Sequence, residues 1–107
     1  MCLEDIQVAM IRIAEYIDGL TLIDFKRDYK TIVAVIRNLE VSGEASKNLP
    51  KEIIEKYSEI PWVEMYLLRN EVSLGYFGVD NEIIWDVAYN YLPDNKLQID
   101  KIIDKER

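Results

Sequence analysis

Two short runs hold the side chains best suited to chemistry. In Leu68-Arg69-Asn70-Glu71-Val72-Ser73-Leu74-Gly75-Tyr76-Phe77, Arg69 and Tyr76 stand seven residues apart with Ser73 between them. A helix that persists through the run puts all three on nearly one face. A guanidinium, a hydroxyl and a phenol can then converge on a phosphate, the guanidinium by a bidentate contact. The plainer alternative pairs Arg69 with Glu64, Glu71 or a helix-end carbonyl and leaves Tyr76 to fill the core. In Ile36-Arg37-Asn38-Leu39-Glu40-Val41-Ser42-Gly43-Glu44-Ala45, the side chains of Arg37, Glu40 and Glu44 fall close together on a helix. They form either an exposed ion-pair ladder, worth roughly a few tenths of a kcal/mol per pair, or the polar wall of a cleft, where covered charges need partners.

Composition narrows what these groups can do. The 107 residues include no histidine, and Cys2 is the one cysteine. Imidazole general-base catalysis is therefore excluded, as are zinc sites of the usual structural type and an intramolecular disulfide. A lone thiol fits a reducing compartment, and neither a metal nor a cofactor is expected. A formal net charge of -7 disfavours nucleic-acid binding by the whole surface, because such binding rests on Lys and Arg neutralising phosphates. A local basic site stays open.

The elements that must position these groups read as helices. Leu3, Ile6, Met10, Ile13 and Ile17 recur at three and four, one stripe of a first helix that Gly19 can close. A short turn or helical piece over Thr21 to Lys26 carries Leu22, Ile23 and Phe25 back toward the core. A second long helix is expected from about Tyr29 to Ser46, with Tyr29, Ile32, Ile36, Leu39 and Gly43 inward. Pro50, after Asn48 as cap, opens a third through about Lys56, and Pro61 a fourth to about Leu74, closed by Gly75. Asp80 caps a helix bearing Ile83, Ile84, Trp85, Val87, Ala88 and Tyr91. Pro93 interrupts that helix or starts the last, whose apolar side is Leu97, Ile99, Ile102 and Ile103. The charged residues of the ending, Lys101, Asp104, Lys105, Glu106 and Arg107, read as a frayed, solvated tail.

Sustained period-two alternation is absent, so an all-α antiparallel helical bundle is the economical architecture. Half the residues are hydrophobic and 31% charged, a balance that supports a packed core, and this length allows one domain over 1–107. A start at Leu3-Glu4-Asp5-Ile6 without a basic n-region argues against a signal peptide. Apolar runs such as Ile32 to Ile36 fall far short of the roughly 20 residues that span a bilayer. A cytoplasmic protein without membrane contact is expected.

Several strings, in order, carry a family resemblance: the run from Ala34 to Ala45, then Leu49-Pro50, Ile60-Pro61-Trp62, Arg69-Asn70, Gly75-Tyr76-Phe77, Val79-Asp80, Ile84-Trp85-Asp86 and Leu92-Pro93. Together they resemble the HepT family of HEPN proteins over nearly the whole chain. That resemblance implies a HEPN-like four-helix core with additional short helices, and a toxin that cleaves RNA as a homodimer without a metal. The family motif is an arginine, four to six arbitrary residues and a histidine, commonly followed after one residue by a tyrosine. Laid on this chain, the arginine is Arg69, its polar neighbour Asn70, the histidine position Leu74 and the tyrosine Tyr76.

Leucine at position 74 cannot take the 2′-hydroxyl proton or protonate the leaving oxygen. Arg69 can still stabilise a phosphate, with Ser73 and Arg37 as further RNA- or nucleotide-binding candidates. Loss of a general acid/base typically costs about 10²- to 10⁴-fold in rate, so a poor or dead nuclease is expected. The resemblance further implies a partner, a minimal nucleotidyltransferase antitoxin that transfers AMP to Tyr76, and an RNA substrate such as a tRNA or mRNA. A non-catalytic nucleotide- or RNA-binding module, or a scaffold for the nucleotidyltransferase, is the alternative. Trp62, Met65, Tyr66 and Trp85 are candidates for core or dimer interface, with core the better use of each taken singly.

Overall fold

A computed structural model describes residues 2–60, 62 and 81–106 of the protein. Helix α1 (Cys2–Ile17) forms as its stripe dictates: Leu3, Ile6, Met10, Ile13 and Ile17 are all buried. Gly19 follows at φ +77°, the left-handed turn that glycine adopts without a Cβ penalty. The chain re-enters helix through a capping box. Thr21 Oγ1 accepts the Asp24 N–H at 3.2 Å, and Asp24 Oδ2 accepts the Thr21 N–H at 3.0 Å. Helix α2 (Leu22–Arg27) buries Phe25 completely, whereas Ile23, expected inward, is 61% exposed. Six residues make less than two turns, and that leaves room for one inward-pointing apolar side chain.

Asp28 caps helix α3 (Tyr29–Lys47) by accepting the Thr31 N–H at 3.1 Å. Ile32 and Leu39 face inward as expected, joined by Val35; Ile36 is only partly buried and Tyr29 is 77% exposed. Small polar residues complete the buried side. Asn38 Nδ2 donates to the Ala34 carbonyl at 2.9 Å, Ser42 Oγ to that of Leu39 at 3.0 Å, and Ser46 Oγ to that of Ser42 at 2.8 Å. Each thereby donates to a carbonyl of its own helix, which offsets part of the cost of burying a polar group.

Asn48 closes α3, its N–H bonding back to Glu44 and Ala45 carbonyls; it is not the cap of the next element. Pro50 takes that position, before α4 (Lys51–Lys56), with no side-chain cap of its own. Tyr57, Ile60 and Trp62 are buried beyond it, and Trp62 Nε1 donates to the Tyr57 carbonyl at 3.0 Å. Trp62 is helical. The rest of the expected fourth helix, with Gly75 and the Asp80 cap, lies outside the described residues.

Helix α5 (Asn81–Asp86) runs through a π-helical segment, Val87–Tyr91, into α6 (Leu92–Glu106). The Leu92 N–H reaches five residues back to the Val87 carbonyl. Pro93 supplies the reason: in an α-helix its ring would collide with the carbonyl four residues earlier, and it has no N–H to donate. A residue's worth of slack ahead of it relieves the collision, so the proline sits inside a continuous helix where the sequence suggested a break or a start. Ile84, Ala88, Leu92, Ile99, Ile102 and Ile103 face the core, while Ile83, Tyr91 and Leu97 are more than half exposed. The helix runs to Glu106, where the sequence suggested a tail. Glu106 Oε2 accepts from Tyr57 Oη at 2.6 Å and Lys56 Nζ at 2.8 Å, which ties the last turn to the end of α4.

Helix α1 is central and antiparallel to its two long neighbours. Asp5 and Val8 lie beside the Glu44–Asn48 end of α3, and Tyr16 beside Tyr29. On α6, Gln7 Nε2 donates to Asp100 Oδ1 at 2.7 Å, whereas Met10, Ile13 and Ala14 meet Ala88 and Leu92. The described residues are helices and turns with no strand among them, in keeping with the expected antiparallel bundle. Among them, no helix is long and apolar enough to cross a membrane.

Candidate functional site

The helical phase of α3 that buries Val35 and Leu39 turns Arg37, Glu40, Val41 and Glu44 toward a groove against α1. Across it, α1 contributes Asp5, Val8, Ala9 and Arg12, enclosing about 520 Å³. Arg37 Nη1 stands 4.0 Å from Glu40 Oε2, with the arginine side chain 72% exposed. At that distance and exposure the pair contributes little to stability. The two readings of the Arg37, Glu40 and Glu44 cluster thus merge: it includes a loose surface ion pair, and it forms one wall of a cleft.

A second recess, about 680 Å³, continues along the same two helices and shares Arg12, Arg37, Asn38 and Val41 with the first. Tyr16, Tyr29, Lys30, Val33 and Ala34 complete it. The antiparallel register makes this geometry, because it sets Arg12 opposite Arg37 and Tyr16 opposite Tyr29. Charge divides along its length. Asp5, Glu40 and Glu44 mark one end, while Arg12, Lys30 and Arg37 are the charged residues of the other.

Of the residues singled out for RNA chemistry, Arg37 is on this groove. Arg69, Asn70, Ser73, Leu74 and Tyr76 lie outside the described residues, as do Met65 and Tyr66. Trp62 is buried in the core, and Trp85 packs partly buried against it. Sequence reasoning missed Arg12, Tyr16 and Lys30 as site residues. The available signal was a second stripe on the first helix, Asp5, Val8, Arg12 and Tyr16, spaced by three and four on the side away from the apolar one.

Other polar clusters are structural. Burial pushes the Asp100 carboxyl up, yet hydrogen bonds from Lys96 and Gln7, with the Lys96 charge, outweigh it and hold it below the usual carboxylate range. At the α4–α6 junction, hydrogen bonds from Lys56 and Tyr57 lower Glu106, and the same carboxylate raises the Tyr57 phenol and the Lys56 ammonium. From the core outward, Phe25 meets Trp85 with ring centroids 5.3 Å apart and Trp85 stacks on Tyr89 at 5.1 Å. Among the described residues no group of histidine, cysteine and carboxylate side chains could hold a metal ion.

Known proteins align with nearly all of this chain. The family described as Ribonuclease HepT-like matches residues 6–102. "Putative RNase MJ0127" of Methanocaldococcus jannaschii is 45% identical over 101 residues, 94% of this chain and 84% of its own length. A protein of Caldanaerobacter subterraneus subsp. tengcongensis with the same kind of RNase name is 40% identical, covering 87% of this chain and 83% of its own. "Probable ribonuclease HepT" of Thermococcus cleftensis is 41% identical, covering 94% and 91%. No solved structure gives a significant match.

Proposed function

The chain belongs to the HepT-like ribonuclease family, and on that premise we propose that it is the HEPN toxin component of a toxin–antitoxin pair, with an attenuated ribonuclease site. The observation that carries this reading is the family match over residues 6–102 together with Arg69, Asn70 and Tyr76 standing in the motif around Leu74. In this reading two copies pair so that two motifs share one cleft, an economical isologous arrangement. Arg69 grips a phosphate and stabilises the charge that builds as the 2′-oxygen attacks it. The histidine that would manage the protons is replaced by Leu74, so turnover falls by about 10²- to 10⁴-fold.

The neutralising step falls on Tyr76. A minimal nucleotidyltransferase antitoxin directs the phenolic oxygen onto the α-phosphorus of ATP; pyrophosphate leaves, the phenolic proton is lost, and AMP stays as a phosphodiester. That anion beside Arg69 satisfies its charge and fills the space of an RNA phosphate. Leu74 itself favours a second reading, a non-catalytic RNA- or nucleotide-binding partner of the same nucleotidyltransferase.

RNA cleavage by this chain beside Leu74→His separates the two. Arg69-dependent cleavage on restoration of histidine supports the toxin reading; binding without cleavage in both proteins supports the module. Incubation with the cognate antitoxin and ATP should add one AMP to a Tyr76-containing peptide, and a modification elsewhere would defeat the neutralising step.

A further inference from the structure

The α1–α3 groove contains a site that the motif does not account for. Its Tyr16 and Tyr29 end presents Arg12, Lys30 and Arg37 with no carboxylate among the lining residues, in a chain with 20 acidic and 13 basic residues. These cations are largely uncommitted. Among the described residues Arg37 makes only the 4.0 Å approach to Glu40, Lys30 lies in the field of the Asp28 carboxylate without a close ion pair, and Arg12 enters no ion pair. Beside them, Tyr29 is 77% exposed and Tyr16 38%. Apolar rings left in water beside uncommitted cations are the two halves of a single-strand nucleic-acid platform, in which bases stack on the rings and guanidinium and ammonium groups follow the backbone.

We propose that the Tyr16–Tyr29 end of this groove binds single-stranded RNA, with the two phenol rings stacking bases and Arg12, Lys30 and Arg37 holding phosphates. The proposal rests on the ribonuclease-family reading and extends it by naming where substrate outside the cleavage motif is held. Polarity along the groove gives it a direction. Asp5, Glu40 and Glu44 repel a phosphate backbone at the far end, so the strand leaves Arg37 toward Tyr29, about 12 Å along α3 at 1.5 Å per residue. Because the carriers are exposed, replacing them leaves the core intact.

Binding of a fluorescein-labelled 2′-O-methyl oligouridylate, which cannot be cleaved, tests this by fluorescence anisotropy on the full chain. Tyr16→Ala and Tyr29→Ala should each weaken binding roughly 5- to 150-fold, while Tyr→Phe at either position retains it. Arg12→Gln, Lys30→Gln and Arg37→Gln together should flatten the dependence of log affinity on log salt by about 2, near 0.7 per phosphate. Failure of the unaltered protein to bind at low salt overturns the proposal. So does unchanged affinity in the groove variants while Arg69→Ala weakens binding, an outcome that leaves the family reading intact. A shift in sedimentation with unchanged RNA affinity in the tyrosine variants would make this face a contact between copies instead. Failure of the ribonuclease reading shows separately, as groove-dependent binding with no Arg69-dependent cleavage in Leu74→His.

Discussion

Replacing Phe25 with alanine should be among the most damaging single changes in the described part of the molecule. Phe25 is 0% exposed and is the one buried residue of α2, so its ring is the main apolar anchor of that helix, beside an exposed ion pair from Lys26 to Glu82. Phe→Ala in a packed interior costs about 3–5 kcal/mol from lost transfer energy and the cavity left behind. Loss of the tilted contact with Trp85, centroids 5.3 Å apart, adds roughly 0.5–1.5 kcal/mol. Domains of this size are stable by only about 5–15 kcal/mol, so the variant should lose between roughly a quarter of that margin and all of it. Urea titration at fixed protein concentration, followed by tryptophan fluorescence and by circular dichroism, measures the loss. Ile23→Ala on the same helix, at a position 61% exposed, is the control and should cost less than about 0.5 kcal/mol. A Phe25→Ala loss below about 1 kcal/mol, or one no larger than the control's, would refute the claim that this ring is the main anchor of α2.

Thr21→Ala removes the capping-box hydroxyl and should lower stability by about 1 kcal/mol in the same titration, with Thr21→Ser nearly neutral. Asp24, Asp28, Asp100 and Glu106 all have carboxyls held below their ordinary values in the folded protein. Their stabilisation is therefore complete above the unfolded carboxylate range and is lost as pH falls through the lower folded values. Thermal midpoints should plateau above about pH 5 and decline below about pH 4, and Asp100→Asn should make the acid decline shallower; a midpoint rising toward low pH would contradict the assignment. Glu106→Ala unties the last turn of α6 from Tyr57 and Lys56. Amide exchange over 103–106 should speed up while the global midpoint barely moves, as expected of an exposed tie.

How far the fold was legible follows from what each pattern measures. In α1 all five stripe residues are buried, because a long helix with one strongly apolar side has a single sensible orientation. In α3 the same reading took Tyr29 inward and overlooked Val35, since Asn38, Ser42 and Ser46 occupy core positions and hydropathy cannot see polar groups that bond to their own helix. Pro93 was legible as an obstacle, and the response to it was not: inserting a π turn instead of breaking depends on Ile84 and Ile99 both having a core to reach. The candidate site was legible in part. The position of Arg37 on a cleft wall follows from local spacing, but its pairing with Arg12 across the groove depends on the register of two helices far apart in sequence, which no local pattern encodes. The RNA motif rests on family likeness, and its geometry lies beyond the described residues.

The wide turn at Val87–Tyr91 acts as a phase shifter. One additional residue per turn rotates everything downstream by about 100° relative to an uninterrupted α-helix, so the halves on either side are aimed independently. The upstream half can aim Trp85 at Phe25, with Tyr89 of the wide turn stacked outside it, while the downstream half points its isoleucines at α1. Excising one residue from this stretch, with Pro93 replaced by alanine so that an α-helical spiral can close, would swing Ile99, Ile102 and Ile103 out of the interior.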